Sequence, residues 1–360
     1  MKKQLLWVGL GLLGAACQTK PDPVAADGQL AGATATAVSV RETYLTPRDT
    51  ADNVDSPTFW VSPAGEPWVI VTAKETDRLL VYNATTGKLL RKYGTTGTAL
   101  GQLDRPNGVS VVDDLLFVVE RDNHRVQVFQ LPDLKPLAVF GAELLLKPYG
   151  LALHKTAENS YRLWVTDNYE TPDEQIPPVG ELGRRVRVWD VQRTGAKLSA
   201  TPAGAFGPTA GPGVLYVVES IYADPIHNQL LVSEELEDST CVKVYDLQGR
   251  FTGQVLGQGL FKGQAEGIAL YPCGEKSGYW VLTDQSYEAN IFHVYERGSL
   301  VHLGSFKGET TLNTDGVWVT PQAFEGFAKG AFFAVHDDGN LAVFDWALLA
   351  ERVGLKQTCP

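Results

Sequence analysis

The 360-residue chain is 44% hydrophobic and 20% charged, with a net charge of −11 and a pI near 5.1. That apolar content supports one large core or two modest ones and excludes a disordered chain. The acidic balance argues against nucleic-acid binding, and an anionic ligand would need cations placed between it and the protein.

Lys2 and Lys3 precede the apolar run "LLWVGLGLLGAA", which ends at Cys17. Residues 1–16 therefore read as a lipoprotein signal peptide, cleaved ahead of a lipid-attachment cysteine at Cys17. The run is short for a membrane span. The expectation is an exported monomer, lipid-anchored to a bacterial membrane (outer membrane or cell surface), that meets the membrane only through that anchor. Residues 17–37, rich in Pro, Ala, Gly and Thr, read as a flexible tether. The later cysteines, Cys241, Cys273 and Cys359, allow at most one intramolecular disulfide, leave its pairing open, and lack metal-site spacing.

A repeat governs the rest. Val-aromatic pairs recur at Val81-Tyr82, Val128-Phe129, Val188-Trp189, Val244-Tyr245, Val294-Tyr295 and Val343-Phe344, spaced 47 to 60 residues apart. Ahead of each lies a short β-rich run, such as "PWVIVTA", "LLFVVER" or "YWVLTDQ", and turn residues follow. Each unit of about 50 residues holds three to four strands of about five residues and cannot bury its own faces. Six such units arranged radially give an all-β, six-bladed β-propeller over residues 38–356. "DWALLAERVGL" reads as helical. "VSVRETYL" alternates like an orphan strand, and is expected to close the ring by completing the blade that holds Val343-Phe344.

In a propeller the loops entering the innermost strands gather on one face. Asp55, Glu219, Glu235, Glu266 and Asp315 each flank such a strand, and Asp337, Asp338 and Asn340 in "HDDGN" add hard oxygens. Carboxylates converging on one channel mouth repel one another unless protonated or bound to cations, and oxygen-only donors favour Ca²⁺. Lys74 and Arg121 sit at matching positions after the second strands of the first two blades and could bind an anion. Arg184, Arg185 and Arg187 are weaker candidates. His336 reads as structural, and no nucleophile elbow, phosphate-cradling glycine loop or Cys-x-x-Cys is present.

The segment "VDSPTFWVSPAGEPWVIVTAKETDRLLVYNATTGKLLRKY" resembles the opening blade of the β-propeller phytases. "KPYGLALH", "VVESIYADPIHNQLLVSEELEDSTCVKVYDLQGR", "AEGIALYPCGEKSGYWVLTDQSYEANIFHVYER" and "NTDGVWVTP" continue the likeness in the family's order, over most of residues 52 to 350. The resemblance implies a calcium-dependent, 3-phytase-like phosphomonoesterase that hydrolyses phytate (myo-inositol hexakisphosphate) to lower inositol phosphates and inorganic phosphate, without a covalent intermediate. It implies several Ca²⁺ ions held by Asp55, the Pro57 carbonyl, Glu219, Glu235, Glu266 and Asp315, with Asp338 among the added oxygens. Glu235, Glu266, Asp315 and Tyr149 would form the catalytic group, and Lys74 and Arg121 would bind phosphate.

The chain departs from the family pattern at Ser56, at Ser220, and in "TDNYE", where only Glu170 stands in for a Lys-Glu pair. Two other readings remain open. "RPNGVSVVDDLLFVVERDNHRVQVF" resembles an NHL repeat, which implies a noncatalytic binding or interaction propeller. A calcium-dependent propeller of the gluconolactonase kind would not call for Lys74 and Arg121.

Overall fold

A β-strand sends successive side chains to opposite faces, so a sheet buried on both faces needs apolar residues in consecutive positions. The Val-aromatic pairs meet that need. In the computed structural model, which describes residues 37–288 and 290–356, every pair lies on the third strand of a sheet. Val81 packs toward the second blade and Tyr82 toward the sixth, while Val128 packs toward the third and Phe129 toward the first.

Blade 1 comprises Val54–Val61, Pro67–Ala73, Arg78–Asn83 and Leu89–Tyr93, and blade 2 comprises Pro106–Val112, Leu115–Glu120, Arg125–Gln130 and Lys135–Phe140. Blade 3 is built from Pro148–Ala157, Ser160–Asp167, Val186–Thr194 and Lys197–Phe206. Blade 4 has Val218–Asp224, Gln229–Glu234, Cys241–Tyr245 and Phe251–Leu256. Blade 5 contains Gln264–Cys273, Ser277–Gln285, Ile291–Glu296 and His302–Gly308, and blade 6 contains Val317–Thr320, Ala331–His336 and Asn340–Asp345. Each sheet runs antiparallel in strand order, and six apolar clusters fill the six wedges between neighbouring blades. The fold is a six-bladed β-propeller.

The ring closes as expected, with one refinement. The segment "VSVRETYL" splits in two: Tyr44–Leu45 pairs antiparallel with Asn340–Asp345 and completes blade 6, while Val38–Val40 adds a fifth, parallel strand to blade 5 beside His302–Gly308. The helix anticipated at the end is Trp346–Val353. Asp345 caps its first turn by accepting the Leu348 N–H at 2.8 Å, and Gly354 ends it at φ +80°. Cys273 is disulfide-bonded, and Cys241 is a free, buried thiol. The signal peptide, Cys17, most of the tether and Cys359 lie outside the described residues.

The inner strands approach one another closely at one level. A Cβ on Gly150 would lie 2.5 Å from the Glu219 carbonyl oxygen, and one on Gly316 would lie 2.3 Å from that of Asp55. Gly150→Ala is therefore expected to lower stability by about 1–3 kcal/mol, through forced backbone shifts. Equal denaturation midpoints for the variant and the parent protein would contradict this close approach.

Candidate functional site at the channel mouth

In five blades the register of the innermost strand breaks at the same place, leaving two residues out of the ladder. These are Asp55-Ser56, Asn107-Gly108, Tyr149-Gly150, Glu219-Ser220 and Glu266-Gly267; in blade 6, Asp315-Gly316 stands just ahead of its strand. A bulge re-aims a side chain, and here it sets a ring of six polar residues, each followed by a small one that tolerates the neighbouring backbone. Ser56 and Ser220 are thus fitting occupants of the small-residue position. Hydroxyls stitch the ring together: Thr72 donates to the Asn107 carbonyl at 2.6 Å, Thr166 to that of Glu219 at 2.7 Å, and Ser233 to that of Glu266 at 2.5 Å.

A second device holds the loops leading into these bulges. In blades 2 to 5 the second strand carries a buried acid at or next to its end, Glu120, Asp167, Glu234 or Asp284, whose carboxylate accepts backbone N–H groups of the entering loop. A side chain on the third strand faces each acid in turn: Gln127 donates to Glu120 at 2.8 Å, Arg187 stands 3.8 Å from Asp167, and Lys243 stands 3.3 Å from Glu234. The equivalent residue in blade 5 is His293, 3.5 Å from Asp284. Arg125 adds the charge in blade 2, 2.8 Å from Glu120.

The mouth is a cavity of about 300 Å³ lined by, among others, Lys74, Tyr149, Glu219, Glu235, Glu266 and Asp315. Lys74 Nζ lies 3.0 Å from Asp55 Oδ2 and 2.7 Å from Asp315 Oδ2. Burial opposes its charge, but these two carboxylates outweigh burial and hold the ammonium well above the ordinary lysine range. Burial, and then Glu235 and Asp55, push the Glu219 carboxyl well up; burial, Glu235 and Glu219 do the same to Glu266. Burial also raises the Glu235 carboxyl, a rise that the neighbouring Glu266 carboxyl opposes. Burial raises Asp315 to about 6, opposed by Lys74 and reinforced by Asp55. Tyr149 is pushed to about 12 by burial and by Glu219, and its hydroxyl lies 3.5 Å from Arg121 Nη1.

The sequence-predicted acids Glu219, Glu235, Glu266 and Asp315 therefore meet in one mouth with Tyr149, and Lys74 links Asp55 to Asp315 there; Arg121 approaches through the Tyr149 hydroxyl at 3.5 Å while its Nε pairs with Asp122 at 2.7 Å. Others are placed differently. Pro57 lines the narrow axial channel beside Gly316, below the mouth cavity. The "HDDGN" group divides: Asp338 lines the mouth, whereas Asp337 is 2.5 Å from Arg48 and Asn340 donates to the Thr46 carbonyl at 2.8 Å. Arg185 is fully buried on the carbonyls of Asp167 and Tyr169, and Arg187 serves Asp167. Glu170 is engaged by Lys147 at 2.6 Å.

Sequence reasoning missed Asn107, which completes the ring and donates to Asp55 Oδ2 at 3.3 Å, and Gln285, which donates to Asp315. The acid ending the second strand in four successive repeats was a visible signal for the loop-holding carboxylates. Among the described residues, no three His, Cys, Asp or Glu side chains stand as placed in a metal-coordinating arrangement. The donor chemistry nonetheless suits a hard divalent cation. Lys74 contacts two of the five carboxylates, the acids offer oxygen donors, and the Asn107 Oδ1 is buried with no hydrogen-bond partner.

Residues 103–129, in blade 2, match the NHL repeat family. The chain is a six-bladed β-propeller in which this one segment is similar to an NHL repeat. No curated protein matches its sequence. Among solved structures, one assigned as a gluconolactonase is similar at 16% identity and TM-score 0.51, covering 86% of this chain and 96% of its own. Hydrazine synthase of Kuenenia stuttgartiensis is similar at 10% identity and TM-score 0.50, covering 89% of this chain and all of its own. At such identities the likeness concerns the fold.

Proposed function

We propose that the protein is a calcium-dependent phosphomonoesterase that hydrolyses myo-inositol hexakisphosphate to lower inositol phosphates and inorganic phosphate. The observation that carries this reading is Lys74 held between Asp55 and Asp315 within a mouth of further carboxylates, an anion-binding cation where bound cations would neutralise the acids. The resemblance to β-propeller phytases supports the same assignment. Asp55, Glu219, Glu235, Glu266, Asp315 and Asp338 would hold several Ca²⁺ ions, with the Pro57 carbonyl contributing below them. Bound calcium supplies charge neutralisation of both carboxylates and phosphate, and acidifies a water molecule.

The chain's own groups then divide the work. Lys74, relieved of part of its carboxylate pairing, offers its ammonium to a phosphate oxygen, and Arg121 offers a planar fork beside it. Tyr149, kept protonated by its raised pKa, donates a hydrogen bond into the mouth. Attack of water oxygen on phosphorus breaks the P–O bond to the inositol carbon's oxygen. The neighbouring Glu235 and Glu266 carboxyl groups can accept the water's proton and return one to the leaving oxygen. The protein acts as an exported monomer, tethered to a bacterial membrane through a lipid on Cys17.

The decisive experiment is phosphate release from inositol hexakisphosphate by the protein without residues 1–16, with calcium and then with excess chelator. Release that depends on calcium is the expected result. The match of residues 103–129 to the NHL repeat favours a second reading, a noncatalytic binding propeller. That reading gains if a cooperatively folded protein releases no phosphate in either condition.

A further inference from the structure

The ring position at the mouth is a carboxylate in four blades, Asp55, Glu219, Glu266 and Asp315, and the Tyr149 phenol in blade 3. In blade 2 it is Asn107, which is 2% exposed and lines the mouth cavity. Its Nδ2 donates to Asp55 Oδ2 at 3.3 Å. An ionised carboxylate only accepts, so that contact decides which way round the amide lies. The Oδ1 atom is left buried with no hydrogen-bond partner, a state that costs about 1–3 kcal/mol when nothing fills it. The bulge and the Thr72 hydroxyl, 2.6 Å from the Asn107 carbonyl, fix the backbone behind it.

We propose that Asn107 is a ligand of a divalent cation in the mouth, offering Oδ1 beside the Asp55 carboxylate. The inference rests on the reading of the mouth as a calcium site, and adds to it a residue outside the set that the resemblance to phytases implies. An amide oxygen is a hard donor that Ca²⁺ accepts alongside carboxylates. Being neutral, it leaves the ion more of its charge than a further carboxylate would.

The place of Asn107 in the ring gives that neutrality a use. The acids Glu219, Glu235, Glu266 and Asp315 come from blades 4 to 6, whereas Lys74 and Arg121 follow the second strands of blades 1 and 2, and Arg105, which also lines the mouth, enters blade 2. An ion held by Asp55 and Asn107 stands on the side of these cations, where an anionic substrate is received. Lys74 Nζ lies 3.0 Å from Asp55 Oδ2, the same oxygen that the Asn107 amide contacts. A cation on Asp55 competes with Lys74 for that oxygen, so its binding releases the ammonium toward an incoming phosphate.

The test reads metal binding rather than turnover. Calcium dissociation constants would be measured by calorimetric titration for the parent protein, Asn107→Ala and Asn107→Asp, with calcium-free melting temperatures alongside. Asn107→Ala is expected to weaken binding by at least about tenfold, no less than the loss of an outer-shell group costs. Asn107→Asp keeps an oxygen at this point and should bind calcium at least as tightly as the parent, although its calcium-free form melts lower because two carboxylates then face each other. A residue that only positions Asp55 would behave otherwise: both variants break the amide contact, and weak binding by both would overturn the proposal. A parental dissociation constant in folded Asn107→Ala would do the same. Should that variant not fold, Asn107→Asp compared with the parent decides alone. A parent that binds no calcium would overturn this inference together with the calcium site, whereas calcium binding without phosphate release would overturn the phosphomonoesterase reading and leave the inference standing.

Discussion

Glu235→Gln and Asp315→Asn are each expected to lower phosphate release from inositol hexakisphosphate by at least about 10²-fold, the loss typical of removing one preorganised electrostatic group. Both changes are nearly isosteric and keep a hydrogen-bonding side chain in place. Asp315→Asn leaves Lys74 with Asp55 as its remaining partner, 3.0 Å away. Thermal midpoints within a few degrees of the parent would separate a chemical loss from a folding defect. Glu170→Gln is the control: Glu170 is engaged by Lys147, so near-parental turnover is expected. Full activity in both site variants would exclude these carboxylates from the working site.

Calcium is expected to raise the melting temperature, and to do so more strongly at pH 8 than at pH 5. The sign follows from the carboxyl groups of the mouth. Burial and mutual repulsion raise Glu219 and Glu266 well above the ordinary carboxylate value, and burial raises Asp315 to about 6. A carboxyl whose folded-state pKa exceeds its unfolded value favours the folded state when protonated. Its contribution is complete below the unfolded pKa, near 4, and is lost as pH rises through 6 and beyond. The metal-free protein thus carries its greatest electrostatic burden at neutral and alkaline pH, where a bound cation relieves most of it. Saturation at 100 times the dissociation constant adds about 2.7 kcal/mol per site, or roughly 5 °C for a chain of this size. A melting temperature indifferent to calcium at pH 8, or a larger shift at pH 5, would count against a cation in the mouth.

The two expectations meet at Lys74. It is the cation that joins Asp55 and Asp315, and in the proposed reaction it turns toward phosphate. Lys74 contacts Asp55 and Asp315, whereas Glu219 and Glu266 are raised by burial and by the neighbouring Glu235.

The sequence by itself determined the repeat, the number of blades and the identity of most acids in the mouth. The reason is local. A strand buried on both faces needs consecutive apolar residues, so pairs such as Val244-Tyr245 and Val294-Tyr295 mark each third strand wherever it falls. Only the tertiary structure decided which polar residues meet. Lys74 and Asp315 are 241 residues apart, and their 2.7 Å contact exists because the ring brings blade 6 back against blade 1. The same closure drew Asp337 and Asn340 away to Arg48 and Thr46 and split the N-terminal segment between two blades, and the packing of blade 3 on the loop into blade 4 buried Arg185; none of these has a periodic signature. Periodicity records which face of a strand is buried. It does not record which loop stands opposite, because that depends on the summed rotation of six packed wedges.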